Sequence, residues 1–191
     1  MNMAFFMTMP SVVVLVLLLI LSPPLLSHQP KNFAVADYKL MQSLCHKSNT
    51  PETCMRCLKS SKGAVTADSV GIATVIVRCM KVKARTLAQN ITKLDSTSDA
   101  NLRSISKRCG RDYGHYIARK YLTETKHALQ NHKFDNAESF VIGALRLNRA
   151  CHRDLKGNFH EKVPSNVFID MKAYEELSEA VSRIIEKLHK G

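Results

Sequence analysis

The residues of this chain best suited to chemistry are its cysteines, six in 191 residues. Cys54-Met55-Arg56-Cys57 is a C-x-x-C pair with Cys45 and His46 just upstream, a set able on paper to hold zinc or to cycle between dithiol and disulfide. A redox pair of this kind belongs in a βαβ setting, and a zinc site needs reduced thiolates. All six cysteines follow an apolar N-terminal run, which points to an oxidising compartment, where spaced cysteines act first as cross-links. A disulfide framework is therefore the expectation, with no metal and no cofactor.

The eight histidines include no H-E-x-x-H, and His127 and His132 are not spaced to put two ligands on one helix face. No G-x-S-x-G elbow, phosphate loop or dinucleotide fingerprint occurs, and no acidic pair stands out among the 16 Asp and Glu residues. The chain is read as a non-enzyme, so its function rests on what its elements present to a partner.

Those elements begin with a leader. Residues 1–27 carry no charged side chain and contain the apolar run from Ser11 to Leu21, ended by Pro23-Pro24. A run of this length suits the core of a signal peptide, whereas a membrane-spanning helix needs roughly 20 apolar residues. The competing reading is a membrane anchor, favoured by the missing Lys or Arg before the run and opposed by the two prolines, which break a helix. Cleavage after Ser27 is expected, although Ala34-Val35-Ala36 has the better small-x-small pattern. The remainder, 28–191, is one domain's worth of chain, with no membrane contact once the leader is removed. The sequon Asn90-Ile91-Thr92 marks Asn90 as the glycosylation candidate.

The pattern within that domain is helical throughout. From Thr66 to Leu94, Val70, Ala73, Val77, Met80, Ala84, Leu87, Ile91 and Leu94 recur at three- and four-residue steps, an a/d seam over about four heptads. Asp99 is a plausible N-cap for a second helix reaching about Asn131. Leu102, Ile105, Cys109, Tyr113 and Tyr116 share one face of it, then Ala118, Leu122, Thr125 and Leu129 continue on a shifted stripe. Gly110 and Gly114 weaken this helix by up to about 1 kcal/mol each relative to Ala.

Asp135 with Glu138 makes a capping-box-like start for a third helix through about Leu155, and Gly157 to Pro164 is the next break. Ser165 to Lys187 then places Met171, Tyr174, Leu177, Val181, Ile184 and Leu188 on one face. Four amphipathic helices with short links make an all-α, up-down-up-down four-helix bundle over about 66–189. Ahead of it, about 36–62 reads as a helical hairpin, too small to hold itself by core burial and therefore expected to be disulfide-tied.

A formal net charge of +12 suits nucleic acid, anionic lipid or acidic polysaccharide as partners, or simply a solvated surface. Lys and Arg are spread along the chain, and no segment pairs basic runs with regular aromatic platforms, so a nucleic-acid partner is not expected.

Leu44-Cys45, then Thr50-Pro51 with Cys54 and Leu58, Cys109 followed by Tyr113, and Ala144-Leu145 with Ala150-Cys151 stand in an order and spacing of their own. Together they resemble the plant family of invertase inhibitors and pectin methylesterase inhibitors. The resemblance implies a disulfide-tied hairpin on a four-helix bundle, with Cys45 joined to Cys54 and Cys109 to Cys151. Cys57 and Cys79 depart from that four-cysteine pattern and stay open between free buried thiols and a third bridge. Periodicity reaches the bundle on its own, but it cannot choose among the 15 pairings that six cysteines allow.

The resemblance also implies a function: docking on a carbohydrate-active enzyme, an invertase or a pectin methylesterase, and blocking its cleft. Where invertase inhibitors carry a Pro-Lys-Phe motif this chain reads His132-Lys133-Phe134, with Lys and Phe kept and Pro replaced. Lys133 would set an ammonium against the paired carboxylates of a glycoside hydrolase, and Phe134 would fill a sugar subsite. The plainer reading makes Lys133 a solvated cation and Phe134 a staple between loop and bundle. Loss of Pro is expected to leave the loop less preorganised. Invertase is preferred to pectin methylesterase, since a strongly basic inhibitor repels a basic partner. A basic wall-binding or membrane-active helical protein with no enzyme target is the alternative from another class. Secretion to the apoplast or cell wall is expected, with the vacuole as the other destination.

Overall fold

The computed structural model describes residues 33–46, 50–62, 64 and 67–190; the expected leader, 1–27, lies outside them. A hairpin of α1 (Phe33–Cys45) and α2 (Pro51–Lys59) precedes the bundle. The first bundle helix is α3 (Ser69–Thr92), closed by a 3-10 turn at Lys93–Ser96. The second is a continuous rod of α4 (Ala100–Arg111), a π-helical stretch (Asp112–Tyr121) and α5 (Leu122–Gln130). The third and fourth are α6 (Phe134–Phe159) and α7 (Ser165–Lys190), and no strand occurs among the described residues. Each bundle helix packs on its two neighbours in chain order, with α7 closing back on α3, which is the up-down-up-down arrangement.

Local chemistry explains the helix starts. Asp68 accepts from the Gly71 N–H at 2.7 Å, so α3 begins at Ser69 rather than at Thr66. Asp99 caps α4 by accepting from the Asn101 and Leu102 N–H groups, both at 3.1 Å. Lys162 donates to the same carboxylate at 2.7 Å, and that bond, with the backbone donors, holds the Asp99 pKa below the usual range. The third helix starts at Phe134 with Lys133 as N-cap and no side-chain cap, so the expected capping box does not form. Asp135 lies inside the first turn and points instead to His189 Nδ1, 3.4 Å away. At the other end α6 runs past Gly157, because that glycine faces open space where no packing tests it.

The seam residues of α3 from Ala73 to Ile91 are buried, as are Met171, Tyr174, Leu177, Val181 and Ile184 of α7. The shifted stripe of the second helix has a physical origin. The wider π turn carries the inward direction from Tyr113 to Ile117 and Ala118, both fully buried, and leaves Tyr116 at 37% exposure instead of in the core. Gly110 allows the close approach of this rod to α3, since a Cβ there would lie 2.7 Å from Thr92 Oγ1.

Cys109 and Cys151 are bridged in the core between the second and third bundle helices, and Cys45 and Cys54 across the hairpin. Cys57 and Cys79 are bridged as well, and no described cysteine is free. This third bridge joins α2 to α3 and staples the hairpin to the bundle. The Thr53 hydroxyl adds a bond to Glu176 Oε2 of α7 at 2.5 Å. Cys54 and Cys57 thus have different partners, so the C-x-x-C is neither a redox pair nor a source of free thiolates.

Beside the central bridge, the buried Tyr113 hydroxyl donates to Asn148 Oδ1 at 2.6 Å, and its ring meets Tyr174 edge-on at 6.2 Å. Burial, more than the neighbouring Tyr174 and acidic groups, pushes the Tyr113 pKa well above its ordinary value, so the phenol stays a donor at any working pH. Tyr113→Phe is expected to cost about 1–3 kcal/mol in urea unfolding, because the Asn148 oxygen would be left buried and unpaired. A loss indistinguishable from zero would show that the bond has no net worth.

Candidate inhibitory loop

The link between the second and third bundle helices is built as a tight helix stop. Asn131 donates from Nδ2 to the His127 carbonyl at 2.8 Å. The His132 N–H then donates to the Leu129 carbonyl at 3.1 Å and the Lys133 N–H to the Ala128 carbonyl at 2.9 Å, the bond pair of a Schellman motif. The residue at its left-handed position is His132, with φ 54°, the one positive φ among described non-glycine residues. Glycine usually fills this place because a Cβ costs energy there.

Replacement of Pro therefore does not leave this loop slack. Proline is locked near a φ of about −65° and lacks an N–H, so it fits neither the φ of His132 nor its bond to Leu129. The loop is preorganised by backbone bonds instead. His132→Gly is expected to raise stability by about 0.5–1 kcal/mol, or about 1–4 °C in melting temperature, and His132→Pro to lower both. A His132→Gly protein that melts lower would contradict the strain at this position.

The side chains divide the tasks. Lys133 is exposed, and its backbone is held on both sides, since its carbonyl also accepts from the Ala137 N–H at 3.0 Å. Its ammonium makes no ion pair or hydrogen bond among the described residues. Phe134 is half-buried against the core, with the exposed His132 ring edge-on at 5.7 Å. Part of the Phe134 ring thus acts as the staple between loop and bundle, while Lys133 is free to reach outward.

Other surfaces are less developed for such a task. A concavity of about 590 Å³ lies where α2, α3 and α7 meet, beside the Cys57–Cys79 bridge. Two of its charged groups are already engaged: Lys83 pairs with Asp170 at 2.8 Å, and Glu176 accepts from Thr53. Asn90 sits half-buried near the end of α3, with the Thr92 hydroxyl of its sequon turned to the Ala88 carbonyl at 2.7 Å. Among the described residues no cluster of His, Cys, Asp or Glu is arranged to hold a metal, and no helix is long and apolar enough to cross a membrane.

Residues 39–186 match the family model described as plant invertase/pectin methylesterase inhibitor. The chain belongs to this family. The match takes in both helices of the hairpin and all four of the bundle. Two solved structures share the fold. One is a mutant form of a pectin methylesterase inhibitor from Arabidopsis, at 19% identity and a TM-score of 0.65, covering 76% of this chain and 95% of its own. Another is a pectin methylesterase inhibitor from Arabidopsis thaliana, at 20% identity and a TM-score of 0.58, covering 80% of this chain and 97% of its own. No curated protein matches closely enough to count as similar. Family membership agrees with the want of a catalytic constellation in the sequence.

Proposed function

We propose that this family member is a proteinaceous inhibitor that docks on an invertase and inserts Lys133 into its active-site cleft. The observation that carries the reading is a cation without a partner among the described residues, on a backbone locked from both sides. A glycoside hydrolase keeps two carboxyl groups flanking its scissile bond. An ammonium delivered there is attracted strongly in a water-poor cleft, and a preorganised loop loses little freedom on binding. Phe134 keeps a half-exposed ring at the rim, suited to a sugar subsite, while its inner face anchors the loop.

Pectin methylesterase is the alternative target, named in the descriptions of both solved relatives. In keeping with the proposal, the protein acts in the apoplast or cell wall after loss of residues 1–27, with Asn90 as its glycan site. The deciding experiment titrates the purified protein into acid invertase and pectin methylesterase in parallel. Inhibition of invertase alone is expected. Inhibition of pectin methylesterase alone would move the target, and loss of neither activity would leave a wall-binding helical protein as the better reading.

A further inference from the structure

Some cations of the bundle meet carboxylates: Arg149 with Glu175 at 2.6 Å, Lys162 with Asp99 at 2.7 Å, Lys83 with Asp170 at 2.8 Å. Between α3 and α5, a groove of about 250 Å³ has Arg78, Lys81, Lys126 and His127 in its walls. Arg85, one turn along α3, lies close enough to Lys81 to act on its charge. None of these side chains has a carboxylate partner among the described residues. Glu124, the acidic residue closest in sequence to Lys126, does not line the groove.

The crowding is felt within the cluster. Lys81 donates to Thr123 Oγ1 at 2.9 Å, and its pKa is lowered first by burial and then by Arg85 and Lys126. Like charges held together without a counterion repel one another, and an anion in the groove relieves that repulsion. The spacing indicates the shape of the anion. Arg78, Lys81 and Arg85 follow at steps of three and four residues, about one cation per 5.4 Å helical turn, so they form a row rather than a cage.

We propose that the α3–α5 groove binds a linear polyuronate, a chain of sugar rings each carrying one carboxylate. The row of cations meets the repeating carboxylates. Thr74, Thr123 and Gln130 supply hydrogen-bonding groups for ring hydroxyls, above a floor made by the buried Val77 and Leu122. Nucleic acid is disfavoured, because single strands are held by stacking on aromatic side chains and no Phe, Tyr or Trp lines this groove. The site does not depend on which enzyme is inhibited. Its Gln130 end leads directly into the loop that carries Lys133, so a bound uronate chain would lie beside the docking loop.

The test measures binding of fluorescent oligogalacturonate to the intact protein at low salt. Lys81→Gln/Arg85→Gln/Lys126→Gln is compared with the charge-matched Lys93→Gln/Lys107→Gln/Lys156→Gln, and thermal melts check both folds. The groove variant is expected to bind at least about tenfold more weakly, the control within about threefold of the parent, and a fully methyl-esterified chain at least about tenfold more weakly than the free acid. Equal weakening by both variants would mean diffuse charge attraction and overturn the site. Equal binding of the esterified chain, or tighter binding of single-stranded RNA or polyglutamate, would overturn the ligand class. Should the triple variant melt early, Arg78→Gln alone, at an exposed position in the groove wall, is expected to weaken binding by about threefold while Lys93→Gln alone leaves it unchanged, and equal binding by the two also overturns the proposal.

Discussion

Lys133→Ala is expected to weaken inhibition of invertase by roughly thirtyfold, about 2 kcal/mol, while leaving the melting temperature unchanged. The two halves of this expectation have separate causes. The ammonium has no partner among the described residues, so its removal takes away no contact seen to hold the fold. The backbone bonds of Lys133 to Ala128 and Ala137 do not involve the side chain and survive the substitution. In a complex the same ammonium would be desolvated against carboxylates, where one charge-assisted contact carries a large share of affinity. Phe134→Ala should differ by lowering stability as well as inhibition, since that ring is half-buried against the core. Unchanged inhibition by Lys133→Ala would move the contact surface off this loop and onto the helix faces.

The other large effect is on stability. Removing the central bridge as Cys109→Ala/Cys151→Ala is expected to cost about 4 kcal/mol, the chain-entropy value for the loop it closes. Its ends are 42 residues apart in sequence, against 22 for Cys57–Cys79 and 9 for Cys45–Cys54. The same relation gives about 3 kcal/mol for either of the shorter bridges. Both central cysteines are buried, at 0% and 1% exposure, so lost packing adds to lost constraint. Urea unfolding of the variant checks the value, and a loss below about 1 kcal/mol would mean that the unfolded chain is already restricted there. The Cys57→Ala/Cys79→Ala protein should instead loosen the hairpin while the bundle keeps its own core, giving a first transition before the main one.

Much of the fold was legible because helix faces are written locally. The Ala73 to Ile91 seam, the α7 face from Met171 to Ile184 and the Asp99 cap each depend on residues a few positions apart. The slip of register near Tyr113 was visible as a shifted stripe, but its cause was not. A π turn and an α turn differ by less than one residue, and packing of Ile117 and Ala118 against the core decides between them. The start of α6 was misread by two residues because Asp135 has the composition of a cap, while the preceding Schellman turn already sets the chain direction at Lys133.

The candidate site was legible as residue types and illegible as geometry. Lys133 and Phe134 stood out by resemblance, yet nothing in His132-Lys133-Phe134 announces that a histidine occupies the left-handed position. That conformation follows from where α5 ends and α6 must begin. The cations of the α3–α5 groove were in view too, with Arg78 and Lys81 at helical spacing and Arg85 one turn on, but Lys126 joins them from 45 residues beyond Lys81. A charge count reads that pattern as a solvated surface; only packing of the two helices makes it a groove.

By itself the sequence determined an all-α chain of a disulfide-linked inhibitor family and its bundle faces. These follow from period, capping and motif, which act within a turn or two of chain. The tertiary structure alone decided that Cys57 pairs with Cys79, that His132 adopts a positive φ, and that unpaired cations of two helices share one groove. Each of those depends on side chains distant in sequence meeting in space, and a local pattern is compatible with many such meetings until the core selects one.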